Sequence, residues 1–289
     1  MQKLLNDFIS NIEIVQSINN ETNPTIHTLE FDSRKVQKGT LYFALPGTHV
    51  HGNIFVKQAI ESGASAVIFQ DTLPEEALTV AAQKHVPLLQ VTSTRFAMSP
   101  VAANFYDNPS AKMKVIGVTG TEGKSTTVFL VWQLLRSLRK RAGFFSTVDY
   151  SLGDEAISNP VHQTTPEATI VQFQLYEMLQ NGCEYAVVEA SSHGLSKKTN
   201  RLGDVLFDAV AMMNVTHEHL EFHGTHEQYK IDKANLFKAI DEHDHIKNIA
   251  HCSTPIPAFG VVNLEDPSAE YFIESTKLPV YGFTTNGEA

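Results

Sequence analysis

The sequence predicts an α/β protein in two blocks, residues 1–111 and 112–289, the second built on a mainly parallel sheet. Three observations predict it. Short apolar runs of strand length alternate with stretches whose apolar residues recur at helical spacing, the rhythm of a parallel sheet with crossover helices. A glycine-punctuated segment, GVTGTEGKSTT at 117–127, lies between one such run and a strong helix. The turn-rich DNPSAKM at 107–113 separates two series of elements.

In the first block, TLYFAL (40–45) reads as a strand, and IFVKQAIESGA (54–64) as a helix stopped near Gly63. SAVIFQ (65–70) and VPLLQV (86–91) are buried strands, and STRFAMSPVAANFY (93–106) is a helix opened by Ser and Thr. In the second block, KVIGVTG (114–120) is a strand running into a glycine turn. KSTTVFLVWQLLRSLRK (124–140) is a helix whose basic end complements the negative C-terminal dipole. EATIVQFQLYEMLQNG (167–182) is a helix closed by Gly182; YAVVEA (185–190) and FDAVAMMN (207–214) are buried strands. THEQYKIDKANLFKAI (225–240) is a helix with Thr225 as N-cap and Gln228 completing a capping box. AFGVVN (258–263) is a strand, DPSAEYFIES is helical, and YGFTTNGEA ends the chain as a strand with a polar tail, which reads as a stop in mid-domain.

A chain of 289 residues with 42% hydrophobic content suffices for one large or two medium cores. The net charge of −10 argues against nucleic-acid binding, since it repels phosphate backbones. Small phosphorylated ligands stay possible, because local geometry and a cation decide there. Two cysteines far apart, Cys183 and Cys252, give no disulfide framework and suit a reducing compartment. MQKLLNDFISNIEIV lacks the apolar core of a signal peptide, and no apolar run reaches membrane-spanning length. These features predict a cytoplasmic globular protein.

The glycine loop departs by one residue from the usual phosphate-loop pattern, with Val118 where a first glycine belongs and glycines at 117, 120 and 123. Converging backbone N–H groups and a helix N-terminus still suit an anion. Lys124 is placed to reach the β- and γ-phosphates and Ser125 to offer a hydroxyl to Mg²⁺. The plainer alternative, a glycine turn with a chance lysine, does not account for the strand and helix on its flanks. In VVEASSHGL (187–195), Glu189 ends a buried strand, where α/β proteins carry ligand residues, and its oxygens suit Mg²⁺. The plainer reading is a surface ion pair. NVTHEHLEFHGTHEQYKIDK (214–233) holds four histidines. It is not H-E-x-x-H; His219 and His223 are four apart, but Gly224 and the loop-like context weaken a zinc site. His217 and His226 read as solvated, and Lys233 by itself as a helix lysine on a solvated face.

Together these pieces resemble the Mur ligases, in particular the branch that adds the third residue of the peptidoglycan stem. DSRKVQKGTLYFALPGTHVHG (32–52) is similar to the family's UDP-binding N-terminal domain, FYDNPS (105–110) to its interdomain link, and GVTGTEGKSTT to its ATP loop, which has this variant glycine spacing. TTPEA, EASSHGL, HLEFHG and VVNLEDP follow in family order. The resemblance implies a UDP-MurNAc-binding domain over 1–111, then a P-loop-type ATPase domain over 112–289, incomplete at its C-terminus. It implies an ATP-driven amide bond: the γ-phosphoryl group passes to the D-Glu carboxylate of UDP-MurNAc-L-Ala-D-Glu, and the amine of a diamino acid displaces phosphate. The implied cofactors are ATP, Mg²⁺ and a CO₂-derived carbamate on Lys233. Gly120, Thr121, Glu122, Gly123, Lys124, Ser125 and Thr126 match the ATP loop, and Asn263 and Asp266 the adenine side. Ser125, Glu189, His219 and Lys233 match metal ligands; with Lys124, the last three form the catalytic set. Phe31, Ser33, Thr48, His49 and Val50 match the uridine side, and Gln163, Thr164, Thr165, Ser191 and Arg201 match substrate contacts in the central domain. The expected partners are the nucleotide-sugar dipeptide and the diamino acid, with no nucleic acid, no membrane and a monomeric state.

The sequence also departs from the family. Glu122 replaces the usual Asn, bringing an acid near the phosphates. Glu218 and Glu221 stand where aspartates are usual, and SHGLSKKTNR carries two extra residues before Arg201. The expected C-terminal domain, which binds the incoming amino acid, is not in the sequence, so the identity of that amino acid is open. Two other function classes compete: a non-catalytic UDP-sugar-peptide binding protein derived from a Mur ligase, and a small-molecule P-loop kinase. The kinase reading leaves the N-terminal block and TTPEA without a role.

Overall fold

A computed structural model describes residues 1–47, 50–160, 163–216 and 220–287. The chain divides into two compact units, Met1–Asp107 and Asn108–Ala289.

The first unit is a five-stranded sheet in the order Ile14–Ile18, Leu88–Val91, Ala64–Phe69, Thr40–Phe43, Thr28–Glu30, parallel except for the antiparallel Ile14–Ile18. Val67, Phe69 and Leu88 pack with Val56, Ala59 and Ile60 of the helix Val56–Glu61 and with Ala77 and Ala81 of Glu75–Lys84. The helix Thr94–Phe105 begins as expected, with the Ser93 side chain accepting from the Phe96 N–H.

The second unit, among the described residues, is an eight-stranded sheet. Its order is Ile157–Ser158, Asp149–Ser151, Ala142–Phe145, Tyr185–Glu189, Lys114–Thr119, Ala209–Met212, Phe259–Asn263, Val280–Phe283. The six strands from Ala142–Phe145 onward are parallel, and the two at the other edge are antiparallel. Helices cover both faces, which is why the central strands read as near-continuous apolar runs. Alternate residues serve the two faces. Val118, Phe144 and Val187 pack with Val128 and Trp132 of the helix Lys124–Ser137. Val115, Ala186, Val188 and Val210 pack with Val171, Leu175 and Met178 of Ala168–Gln180 and with Leu236 and Phe237 of His226–Ala239. Lys114–Thr119 lies centrally, with Tyr185–Glu189 on one side and Ala209–Met212 on the other, so a crevice opens at their C-terminal ends.

The α/β class and the mainly parallel sheet are as expected. Some details differ. The helix that starts at Lys124 ends at Ser137, and Arg139 turns the backbone left-handed (φ 58°) before Ala142–Phe145 begins. That strand is four residues long, AGFF, and too short to read by periodicity. The capping box is half formed: Thr225 accepts from the Gln228 N–H, but the Gln228 side chain turns to Asp232 instead of back to the cap. Among the described residues no helix is long and apolar enough to cross a membrane.

Candidate functional site

The glycine loop leaves the strand Lys114–Thr119 and enters the helix Lys124–Ser137. Gly123 is the turning residue. Its φ of +79° is costly for any side chain, and a Cβ there would meet nothing within 4 Å, so the space over the loop is open. The first-turn N–H groups of the helix have no carbonyl partner within it and carry partial positive charge. Asn214, just past the neighbouring strand Ala209–Met212, fastens the loop: its Oδ1 accepts from the N–H groups of Thr121 (3.0 Å) and Glu122 (2.8 Å), and its Nδ2 donates to the Glu122 carbonyl (3.2 Å). Glu122 is exposed, so its side chain faces solvent rather than the loop's internal bonds.

Two ammonium groups sit on the loop's carbonyls. Lys124 Nζ donates to Thr121 O at 2.6 Å, and Lys233 Nζ donates to Gly120 O. Lys233 is 1% exposed and lies 4.4 Å from the centre of the Tyr229 ring, one helical turn earlier. The solvated helix lysine expected from the residue alone is therefore corrected. Tertiary packing draws the helix His226–Ala239 against the loop, and the buried charge is compensated there.

Glu189 ends its strand beside the loop and is 1% exposed. Its Oε2 accepts from Ser125 Oγ (2.9 Å) and from the Thr147 N–H (2.8 Å). A carboxylate offers about four lone-pair sites, so room is left for a cation. The surface-pair alternative is excluded by this burial. Ser125 and Glu189 thus form one oxygen cluster, the donor chemistry that suits Mg²⁺. Thr147 also bonds Thr164 Oγ1 at 2.8 Å, joining the cluster to the segment 163–165. No pattern in the sequence marked Thr147.

A cavity of about 250 Å³ opens here, lined by Lys124, Gln163, Thr164, Thr165, Ser191, Ser192, His193, Arg201, Tyr229 and Lys233. Every central-domain substrate position expected from the sequence lies on its wall. Thr165 is the hub: its hydroxyl donates to Glu189 O (3.1 Å) and accepts from the Ser191 N–H (3.0 Å), with Ser191 Oγ 2.9 Å away. Arg201 donates to Thr165 O and to Glu167 Oε1, both at 2.8 Å, while its buried Nε has no partner among the described residues. The wall therefore carries three cationic side chains and several hydroxyls, a lining suited to phosphate and carboxylate oxygens.

Behind the wall lies a constellation the sequence did not disclose. His223 Nδ1 meets Asp232 Oδ2 at 2.7 Å, and His223 Nε2 meets Ser192 Oγ at 3.0 Å. Both partners of the His–Asp pair are buried, with side-chain exposures of 0% and 4%. With both ring nitrogens engaged, His223 has none for zinc. His226 is half-buried, against the solvated expectation.

Some expected residues lie elsewhere. His217, Glu218 and His219 fall outside the described residues, as do Thr48 and His49. Asn263 Nδ2 donates to Met213 O (3.0 Å), and Asp266 accepts from the N–H groups of Val215 (2.7 Å) and Ser268 (2.8 Å). Both clamp the chain beyond the strand Ala209–Met212. In the first unit, Ser33 is buried in the turn Ser33–Lys35, Phe31 is half-buried and Val50 is exposed. The turn follows the strand Thr28–Glu30, and Val50 follows the neighbouring parallel strand Thr40–Phe43, so both lie beyond strand C-termini.

Comparison with known proteins bears on the family and the fold. Residues 118–289 match the Mur ligase middle domain, and residues 25–106 match the Mur ligase family, catalytic domain. The chain is 49% identical to a UDP-N-acetylmuramyl-tripeptide synthetase of Treponema denticola, over 98% of this chain and 53% of that protein. It is 51% identical to that of Treponema pallidum over 89% of this chain and 46% of that protein. With a UDP-N-acetylmuramoyl-L-alanyl-D-glutamate–2,6-diaminopimelate ligase of Geobacillus kaustophilus the identity is 35%, over 89% and 48%. The chain thus spans about half the length of the curated relatives it matches. A solved structure of a UDP-N-acetylmuramoyl-L-alanyl-D-glutamate–2,6-diaminopimelate ligase superposes with a TM-score of 0.72 at 24% identity, over 100% of this chain and 54% of that one. A MurF ligase of Thermotoga maritima in complex with ADP gives 0.59 at 21%, over 90% and 51%. At these identities the likeness is one of fold.

Proposed function

The chain belongs to the Mur ligase family, and on that premise we propose that it carries the nucleotide-sugar and ATP sites of a ligase that adds a diamino acid to UDP-MurNAc-L-Ala-D-Glu in peptidoglycan precursor synthesis. A cytoplasmic location belongs to the same reading, since ATP and the nucleotide sugar are found there. The observation that carries it is the shared cavity: Lys124, Lys233 and Arg201 line one polar space with Thr165 and Ser191 at the mouth of the glycine loop.

On this reading the loop and the first turn of the helix Lys124–Ser137 hold the triphosphate. Lys124 exchanges its bond with Thr121 O for the transferring phosphoryl group. Arg201, already oriented by Glu167 and Thr165 O, receives a carboxylate of the dipeptide. The substrate carboxylate takes the γ-phosphoryl group, giving ADP and an acyl phosphate. The amine then forms the amide bond at that carbonyl carbon, phosphate leaves, and the nitrogen gives up its proton. The protein's part is positioning and charge stabilisation. Ser125 and Glu189 fit Mg²⁺ by their paired oxygens. Lys233, with His219 as its expected companion, fits a ligand role only as a carbamate, because an ammonium has no lone pair to donate. Bound Mg²⁺ would neutralise charge on the phosphates. Asn263 and Asp266 are assigned to the adenine side, and Phe31, Ser33, Thr48, His49 and Val50 to the uridine side.

Calorimetric titration with UDP-MurNAc-L-Ala-D-Glu tests the proposal, with UDP-GlcNAc as control. Binding that requires the dipeptide, and that weakens in Arg201→Ala, is the expected result. Equal affinity for both ligands, or no binding to a chain shown folded by circular dichroism, overturns it.

A further inference from the structure

The constellation behind the cavity wall has a chemistry of its own. Ser192 Oγ lies 3.0 Å from His223 Nε2, and His223 Nδ1 lies 2.7 Å from Asp232 Oδ2. Gln228, one turn earlier on the helix His226–Ala239, donates to Asp232 Oδ1 at 3.1 Å, so both carboxylate oxygens are held. A carboxylate only accepts, so the proton of the neutral imidazole sits on Nδ1, and Nε2 meets the Ser192 hydroxyl as an acceptor. A hydroxyl, an imidazole and an orienting acid in this order of contact make a serine nucleophilic. The arrangement is recognised by geometry and roles, not by order along the chain.

The surroundings fix the imidazole. The rings of Phe222, Tyr229 and His193 stand with their centres 4.7, 5.1 and 5.3 Å from it, each steeply inclined. Edge-on packing of this kind holds the imidazole plane where both nitrogens reach their partners.

The backbone presents the hydroxyl. Ser192 opens the short helix Ser192–Leu195, two residues after the strand Tyr185–Glu189. A serine at a strand-to-helix turn, with glycine two positions on, is how α/β-hydrolases expose a nucleophile at the end of a sheet. Gly194 supplies that glycine, and a Cβ there would lie 2.4 Å from Thr165 Cγ2. Ala190 stands where the hydrolase pattern has its first glycine. Ser192 is 3% exposed and lines the cavity together with Lys124 and Arg201. A purely structural pin has no need of a cavity at its hydroxyl end, nor of cations beside it. Ser191 shows the contrast on the same wall: its Oγ accepts from the Gly194 N–H at 3.1 Å and lies 2.9 Å from Thr165 Oγ1.

We propose that Ser192, His223 and Asp232 form a nucleophilic triad on the cavity wall, and that it hydrolyses acyl phosphates. Ser192 Oγ attacks the carbonyl carbon, the bond from that carbon to the phosphate oxygen breaks, and phosphate leaves with the electron pair. The hydroxyl proton passes through His223 Nε2 to the departing phosphate, which Lys124 and Arg201 hold. Water then attacks the acyl ester. Its proton passes through His223 back to Ser192 Oγ, and the free carboxylate is released. The reaction uses no ATP, so it stands apart from the ligase reading and is tested apart from it.

The test is labelling of the native chain with an alkyl fluorophosphonate, from which a nucleophilic serine displaces fluoride at phosphorus, followed by peptide mass mapping. One adduct per chain, on Ser192 and not on Ser191, is the expected result. His223→Gln should slow labelling by about 100-fold or more, the contribution of a general base. That variant alters a buried site, so circular dichroism checks its fold, and the mapped position in the unaltered chain decides the matter by itself. Phosphate release from acetyl phosphate, without ATP, should be lost in Ser192→Ala. No adduct, an adduct on Ser191 or scattered over several serines, or phosphate release unchanged in Ser192→Ala overturns the proposal and leaves Ser192 as a structural pin.

Discussion

Replacing Lys124 by Ala separates the loop's chemistry from its architecture. Lys124 is half-exposed at the first position of the helix Lys124–Ser137, and its bond to Thr121 O, 2.6 Å, reaches back three residues. Alanine is a better helix former, which offsets part of the lost bond, and the freed carbonyl can reach water, so folding stability should fall by no more than about 1 kcal/mol. Nucleotide binding should suffer far more. A charge-assisted hydrogen bond contributes about 1.5–3 kcal/mol net, and the wild type must first give up its bond to Thr121 O, worth about 1 kcal/mol. Adding Coulomb attraction to the rest of the phosphate group restores a net loss of about 2–3 kcal/mol, or roughly 30- to 150-fold in Kd at 1.4 kcal/mol per decade. Calorimetry with ADP and a non-hydrolysable ATP analogue in the presence of Mg²⁺ reads the change, and urea denaturation reads the stability. An unchanged nucleotide Kd would refute the assignment of Lys124 to the phosphates. A fall in stability matching the fall in affinity would refute the separation of the two roles.

Asp232→Asn should destabilise the central unit by about 3 kcal/mol, because it uncouples a buried pair whose side chains are 0% and 4% exposed; an unchanged urea midpoint would contradict this. Gly194→Ala should cost about 1–3 kcal/mol by overpacking, since its Cβ would lie 2.4 Å from Thr165 Cγ2 and must push the hub of the cavity aside. Dipeptide-ligand affinity should fall with it, and a variant of wild-type stability and affinity would show that Thr165 is free to move. Burial pushes the Cys183 thiol up to about 11, with Asp154 adding to it and Arg141 opposing, whereas Cys252 is exposed. Ellman's reagent at pH 8 should therefore find one fast thiol in the native chain and two in urea. The unfolded thiol ionises near about 8.5, so this group's contribution to stability is whole below that pH and is lost as pH rises toward 11. A Cys183→Ser chain should lose less stability between pH 8 and pH 10, and an equal loss would remove Cys183 as the cause.

The α/β class was legible because both faces of the central sheet are covered, so its strands are apolar throughout and its helices keep their period. The glycine loop was legible because its residues are contiguous: Gly120, Gly123, Lys124 and Ser125 carry their geometry in local sequence. Glu189 was legible as a strand-end acid, but its bond to Ser125 exists only because Tyr185–Glu189 pairs with Lys114–Thr119. The remaining features needed the tertiary structure. Lys233 taken by itself, without the family resemblance, reads as one more helix lysine until the helix packs on Gly120 O and buries it. Thr147 follows a strand of four residues and meets Glu189 across 42 positions of chain. Ser192, His223 and Asp232 have no common spacing, and they meet only when helix and sheet close together. The sequence by itself determined what repeats or lies adjacent along the chain: the strands, the helices and the loop, since these follow from backbone geometry and local periodicity. Which side chains share a cavity, and which charges lose their water, was decided only by the tertiary structure, because both depend on what long-range packing brings to each site.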